Sequence, residues 1–144
     1  MSCGVREPLP ARLQEVVDVL DRTELIFSLQ QHHAKSLHWD LRLQHGDVMP
    51  SWALPKGIPN AEKVNHLGIK VEDHALDYAD FHGNIPEGYG AGRVELVDIG
   101  MMEVLRWDEK YIKVRLHGQL HKGVWSLRNT KGKNWIMRMS KEDT

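Results

Sequence analysis

The segment His32-His33-Ala34-Lys35-Ser36-Leu37-His38-Trp39-Asp40-Leu41-Arg42 concentrates side chains that could do chemistry. From Leu37 onward polar and apolar residues alternate. As a β-strand this order puts His38, Asp40 and Arg42 on one face and Leu37, Trp39, Leu41 and Leu43 on the other. Imidazole nitrogen and carboxylate oxygen suit a borderline divalent cation such as manganese, zinc or iron. His32, His38 and Asp40, with His33 as a substitute for His32, supply three ligands and leave positions open for substrate and water. Arg42 extends the same face, and a guanidinium binds phosphate or carboxylate through two N–H groups. A metal held beside it suits a phosphate ester. The same residues also fit a hydrogen-bonded surface pair and an ordinary salt bridge, and the short H-x-D spacing does not choose between these readings.

A second dense stretch is Val71-Glu72-Asp73-His74-Ala75-Leu76-Asp77-Tyr78-Ala79-Asp80-Phe81. His74 and Tyr78 can both offer a proton or a hydrogen bond to a reacting oxygen, whereas its four carboxylates also fit a merely solvated acidic loop. Lys56 stands between Pro55 and Pro59 in a stiff loop that could hold an ammonium near an anion. Trp39, Trp107, Trp125 and Trp135 fall in apolar alternation and read as core. Gly88-Tyr89-Gly90-Ala91-Gly92 is glycine-rich but lacks the lysine of a triphosphate-binding loop.

These residues need a scaffold, and the pattern predicts a mainly β one. Pro8 to Leu20 reads as a short amphipathic helix with Leu13, Val16, Val17 and Leu20 on one stripe and Pro10 in its first turn. Period-two runs follow at Leu25 to His32, Leu37 to Gln44, Val48 to Leu54, Leu67 to Glu72, Arg93 to Asp98, Met101 to Trp107, Lys110 to His117, Gly123 to Asn129 and Asn134 to Met139. The stretch from Asp73 to Tyr89 reads as a polar connection. Short strands separated by glycine-containing turns indicate a barrel or sandwich. Residues 1–24 form an N-terminal tail and helix, and residues 25–144 form one domain.

The 144 residues are enough for one core. Their 41% apolar and 27% charged content excludes a disordered chain and a helical membrane protein. A single cysteine, Cys3, excludes an internal disulfide and a cysteine-built zinc site. With no signal-like start, the expectation is a cytoplasmic protein with no membrane association, and a monomer. From Val104 to the C-terminus there are ten Lys or Arg against four Asp or Glu, whereas residues 1–103 hold nine against sixteen. The basic final part fits contact with a phosphate backbone.

Together the blocks HHAKSLHWDLRL (His32–Leu43), SWALPKG (Ser51–Gly57), VEDHALDYADF (Val71–Phe81), IPEGYGAG (Ile85–Gly92) and the late Gly123-x-Trp125 and Asn134-Trp135 pairs resemble the 3′-phosphoesterase domain family of bacterial LigD, in its freestanding form. The resemblance runs from about Leu25 to the C-terminus, with the blocks in the same order. It implies a compact, closed or nearly closed β-barrel whose metal-dependent active site lies in a surface groove. It also implies trimming of DNA 3′ ends in repair by end joining. A phosphodiesterase step removes a terminal ribonucleoside, and a phosphomonoesterase step leaves a 3′-hydroxyl. Manganese is the implied metal, with zinc or cobalt as alternatives. Residue by residue, His32, His38 and Asp40 match the metal ligands, Arg42 the phosphate clamp, and His74 and Tyr78 the groups beside the scissile phosphate. Lys56 matches a substrate-binding lysine, and His66 stands where an arginine is usual. Residues 1–24 do not clearly show the family's N-terminal arm. The implied partners are DNA 3′ ends together with separate ligase, polymerase and end-binding proteins. Two other readings fit the same residues: a cupin-like non-haem iron oxygenase, in which Arg42 binds a carboxylate co-substrate, and a non-catalytic DNA-end-binding module.

Overall fold

The computed structural model describes residues 4–86 and 91–141. In chain order the elements are β1 (Val5–Arg6), α1 (Ala11–Val19), β2 (Ile26–His33), β3 (Leu37–Leu43), β4 (Val48–Leu54), β5 (Asn65–Ala75), a 3-10 turn (Leu76–Tyr78), β6 (Gly83–Ile85), β7 (Gly92–Trp107), β8 (Tyr111–His117), β9 (Lys122–Lys131) and β10 (Asn134–Ser140). All strand pairs between these elements are antiparallel. The order β7-β2-β3-β4-β5-β10-β9-β8 closes through pairing of β8 with β7, which makes an eight-stranded barrel, and β6 and β1 extend the sheet beyond β7. The mainly β barrel with one short helix expected from the sequence is what the chain forms.

Alternation builds it. Phe27 and Leu29 on β2, Leu41 and Leu43 on β3, Trp52 and Leu54 on β4, Trp125 and Leu127 on β9, and Trp135 and Met137 on β10 all turn inward. Of the four tryptophans read as core, Trp125 and Trp135 are buried in the barrel, while Trp39 and Trp107 pack against it from partly exposed positions. Among the described residues the opposite, outward set is covered by two apolar clusters. Helix α1 lays Leu13, Val16 and Val17 over Ile26, Met49, Leu96 and Ile99. Tyr78 and Phe81, stacked at 4.8 Å, close over Val94 together with Ile85.

Three local expectations are corrected. Asp73, His74 and Ala75 are not part of a connection, because β5 continues to Ala75 and pairs His74 with Met49. The runs Arg93 to Asp98 and Met101 to Trp107 are one sixteen-residue strand, β7. Gly100 does not interrupt it; a Cβ there would strike the His117 carbonyl, so glycine lets β8 and its turn come close. Pro10 caps α1 rather than entering its first turn, its carbonyl accepting from the N–H groups of Leu13 and Gln14. Cys3 and Gly88 to Gly90 lie outside the described residues.

Candidate active site

β2 and β3 pair so that His32 faces His38 and Gln30 faces Asp40. Because both strands turn these residues outward, the ligating atoms of His32, His38 and Asp40 lie within 4.8 Å of one another. Asp40 Oδ2 is 3.5 Å from His32 Nδ1, and Asp40 Oδ1 is 3.3 Å from His38 Nε2. The His38 Nδ1–H donates to the Ser36 carbonyl at 3.1 Å, so donation from Nε2 to the carboxylate takes the imidazolium, and loss of that proton leaves the Nε2 lone pair as the ligating atom. Burial pushes the Asp40 carboxyl up, but hydrogen bonds from His32 and His38 and the charge of Arg42 outweigh it and hold it well below the usual range. The bond to Asp40 raises the His38 imidazole against the opposing effect of burial. Two imidazoles and an ionised carboxylate converging in this way are a donor set suited to a divalent cation. His33, the substitute ligand, points the other way and meets Glu95 at 3.4 Å.

Arg42 is buried behind Asp40, with its Nη2 3.5 Å from Oδ2. Its Nε–H donates to Gln30 Oε1 at 2.6 Å and its Nη1 to Ser51 Oγ at 2.9 Å. Burial lowers the guanidinium from its ordinary pKa, yet an arginine keeps its charge in any folded protein. Its Cζ lies 4.9 Å from the centre of the Tyr78 ring, a cation–π contact.

His74 Nδ1 is 3.1 Å from Arg42 Nη1 and also 3.1 Å from the Glu72 carbonyl. One nitrogen cannot serve both at once. A guanidinium only donates, so the neutral ring accepts from Arg42 at Nδ1 and carries its proton on Nε2. Burial, and after it the charge of Arg42, lowers the His74 pKa, which favours this neutral form. When protonated, Nδ1 turns its new proton to Glu72, and Nε2–H remains a donor in both states. The Tyr78 ring lies 4.9 Å from that of His74, and burial raises its phenol.

The structure therefore brings together His32, His38, Asp40, Arg42, His74 and Tyr78. Lys56 and His66 stand apart from this network, with no hydrogen bond or ion pair to it among the described residues. Lys56 is exposed in the turn after β4. His66 sits opposite Met137, and its Nδ1–H donates to the Gly57 carbonyl at 2.8 Å, tying the Lys56 turn to β5. Two supporting residues escaped the sequence reading, Gln30 and Ser51. Gln30 Nε2 donates to the carbonyls of Tyr78 and Phe81, each at 3.0 Å, and so joins Arg42 to the wall of the site. The signal was present in the alternation, since Ser28, Gln30 and His32 share one face of β2.

The DNA ligase D 3′-phosphoesterase domain family matches residues 30–129. The chain is 40% identical over 128 residues to the multifunctional non-homologous end joining protein LigD of Mycolicibacterium smegmatis, covering 81% of this chain and 17% of that protein. It is 43% identical over 115 residues to the multifunctional non-homologous end joining DNA repair protein LigD of Mycobacterium tuberculosis H37Rv, covering 76% of this chain and 15% of that one. The LigD protein of Pseudomonas aeruginosa is 38% identical over 133 residues, 85% of this chain and 16% of its own length. The chain thus spans about a sixth of the length of these relatives. None of the helices among the described residues is long and apolar enough to cross a membrane.

Proposed function

The chain belongs to the DNA ligase D 3′-phosphoesterase family, and from that premise we propose that it hydrolyses phosphoesters at DNA 3′ ends during end-joining repair. Its two steps are release of a terminal ribonucleoside from a 3′ diester and removal of the remaining 3′-phosphate to leave a 3′-hydroxyl. The observation that carries this reading is the fully buried Arg42, held beside the His32, His38 and Asp40 cluster and in contact with His74.

His32, His38 and Asp40 would hold the cation, manganese in this proposal. When bound, it supplies Lewis-acid withdrawal of charge from a phosphoryl oxygen. The protein's own groups do the rest. Arg42 is anchored by Gln30 and Ser51, so its charge is already aimed and costs little reorganisation as negative charge builds on the phosphoryl group. His74 offers its Nε2–H to a second phosphoryl oxygen or to the leaving oxygen. Tyr78 walls the site, keeping water from the guanidinium, and its raised pKa keeps the phenol protonated as a donor. Lys56 and His66, at the rim near Gly57, would meet the nucleic acid rather than the reacting phosphate. A two-histidine, one-carboxylate set alone would serve iron and oxygen equally well. The preformed Arg42 and His74 pair favours a phosphate.

The test is incubation with manganese and two labelled primer-templates, one ending in a 3′-phosphate and one in a single 3′-ribonucleotide. Dephosphorylation of the first and shortening of the second are expected. Phosphate removal alone would confine the activity to the monoester. Chelator-insensitive binding without reaction would replace the enzyme with an end-binding module, and ferrous-dependent oxygen consumption would replace it with an oxygenase.

A further inference from the structure

The active site is closed on one side and open on another. Toward β7 it is walled by Tyr78, Phe81, Ile85 and Val94, and toward the start of β2 by α1. Toward β4, β5 and β10 no helix among the described residues packs over the outer face of the barrel. The register carries the outward face there without a break: Asp40 lies opposite Ala53, Ala53 opposite Ile69, and one pleat away Leu67 lies opposite Ile136. Ala53, Ile69 and Ile136 are half-buried, and Leu67 is 41% exposed in the interior of a strand. These side chains make an apolar shelf that begins one strand from a metal ligand. At a strand spacing of ~4.8 Å, Ile69 lies roughly 10 Å from Asp40 across the sheet. Beyond the shelf the character changes: Arg128 is paired with Ile136, and Arg138 with Asn65.

We propose that this shelf seats the sugar and base of the nucleoside that bears the 3′-phosphate. The proposal rests on the reading of the site as a 3′-end phosphoesterase and deepens it. Phosphate at Arg42 and His74 leaves the attached nucleoside only the open side, and the near end of the shelf, Ala53 and Ile69, lies within one nucleotide's reach of Asp40. Apolar side chains offer a flat van der Waals surface to the base and no hydrogen-bonding group to its edge. The shelf therefore holds any base without reading it. Arg128 and Arg138, on the far margin, carry charge complementary to the preceding phosphates.

The test compares a 3′-phosphate primer-template ending in an ordinary nucleotide with the same duplex ending in an abasic sugar 3′-phosphate. With manganese and the full chain, removing the base is expected to raise KM roughly tenfold, the scale of burying one face of a base on aliphatic side chains, with kcat little changed. Four duplexes differing only in the terminal base should agree in KM within a few-fold. Ile69→Glu and, on the neighbouring strand, Ala53→Gln should abolish the difference between normal and abasic ends, whereas Ile69→Leu should keep it. Melting temperatures identify any variant that has lost its fold, and two variants on separate strands guard against that loss. Equal KM for the two ends in the wild type would overturn the shelf, as would variants that raise KM for both ends by the same factor. The affinities of the same duplexes, read by fluorescence anisotropy, decide the shelf independently of turnover. Absence of turnover with a tenfold affinity ratio would thus sink the hydrolase and keep the shelf.

Discussion

Gln30 accepts the Arg42 Nε–H at 2.6 Å while donating to two carbonyls of the segment that walls the site, so one buried amide couples the guanidinium to its cover. Gln30→Ala leaves the guanidinium with an unmet donor and the wall with two unmet acceptors. The expected cost is about 2 kcal/mol of stability, together with a loss on the order of 10²-fold in kcat/KM through misplacement of the guanidinium. Thermal melting and manganese-dependent phosphate release check the two effects. Unchanged turnover in a folded variant would remove Gln30 from the support of the site.

His38 and Asp40, two of the proposed ligands, separate metal binding from folding in different ways. Manganese at about a hundred times its dissociation constant should add about 2.7 kcal/mol, roughly 5–10 °C in melting temperature for a domain of this size. His38→Ala should abolish that shift and leave apo melting nearly unaltered. Asp40→Ala should abolish it and also lower apo stability by about 3 kcal/mol, because it strips the buried Arg42 of its carboxylate. A manganese shift that survives in both variants would place the metal elsewhere.

Asp98 predicts the acid limb of stability. Its buried carboxylate accepts from the N–H groups of Ile99, Gln119, Leu120 and His121 and meets His121 Nδ1 at 3.0 Å. Burial pushes its pKa up, but these bonds prevail and the net shift is downward. An unfolded Asp titrates near pH 4, so Asp98 contributes its full stabilisation above that value. The contribution is lost as pH falls from there through the lower folded value. Asp98→Asn should cost about 3 kcal/mol at pH 7 and flatten the dependence of stability on pH below 4. Denaturant titrations of both proteins at pH 7 and pH 3 measure it, and parallel losses in the two would refute the assignment.

Gly118 is the steric counterpart of that carboxylate. A Cβ there would collide with Asp98 Oδ2 and with the Phe27 ring, both fully buried. Gly118→Ala should therefore destabilise by about 3 kcal/mol, the upper end for overpacking. Activity of the surviving folded fraction should be retained, since the turn belongs to the β8–β9 hairpin. A melting temperature within a degree of wild type would show that the turn yields.

Much of this was legible in the residue order. The alternation from Leu37 to Leu43 assigned His38, Asp40 and Arg42 to one face and the core residues to the other before any fold was known, because a strand has a fixed period of two. The chain's one-dimensional order says nothing of which face meets a neighbour, so the Gln30 and Ser51 bonds to Arg42 emerged only from strand pairing. The sequence marks His74 for its chemistry but not for its strand, since the density of polar residues around it masks the end of β5. β7 was divided in two because Gly100 resembles punctuation, whereas its small size serves a close approach between neighbouring strands. β1 and β6 were missed because two- and three-residue strands carry no period.

The two faces of β3 have a consequence for errors in folding. If β3 slipped by one residue against β2, Leu41 and Trp39 would turn to the solvent and Asp40 and Arg42 into the barrel. The same slip that scattered the ligands would also bury charge in the core and evict its packing. No misregistered form can be stable and inert at once, so a defective copy betrays itself as an unfolded chain open to proteolysis. The strand that carries His38, Asp40 and Arg42 is thus its own proofreader.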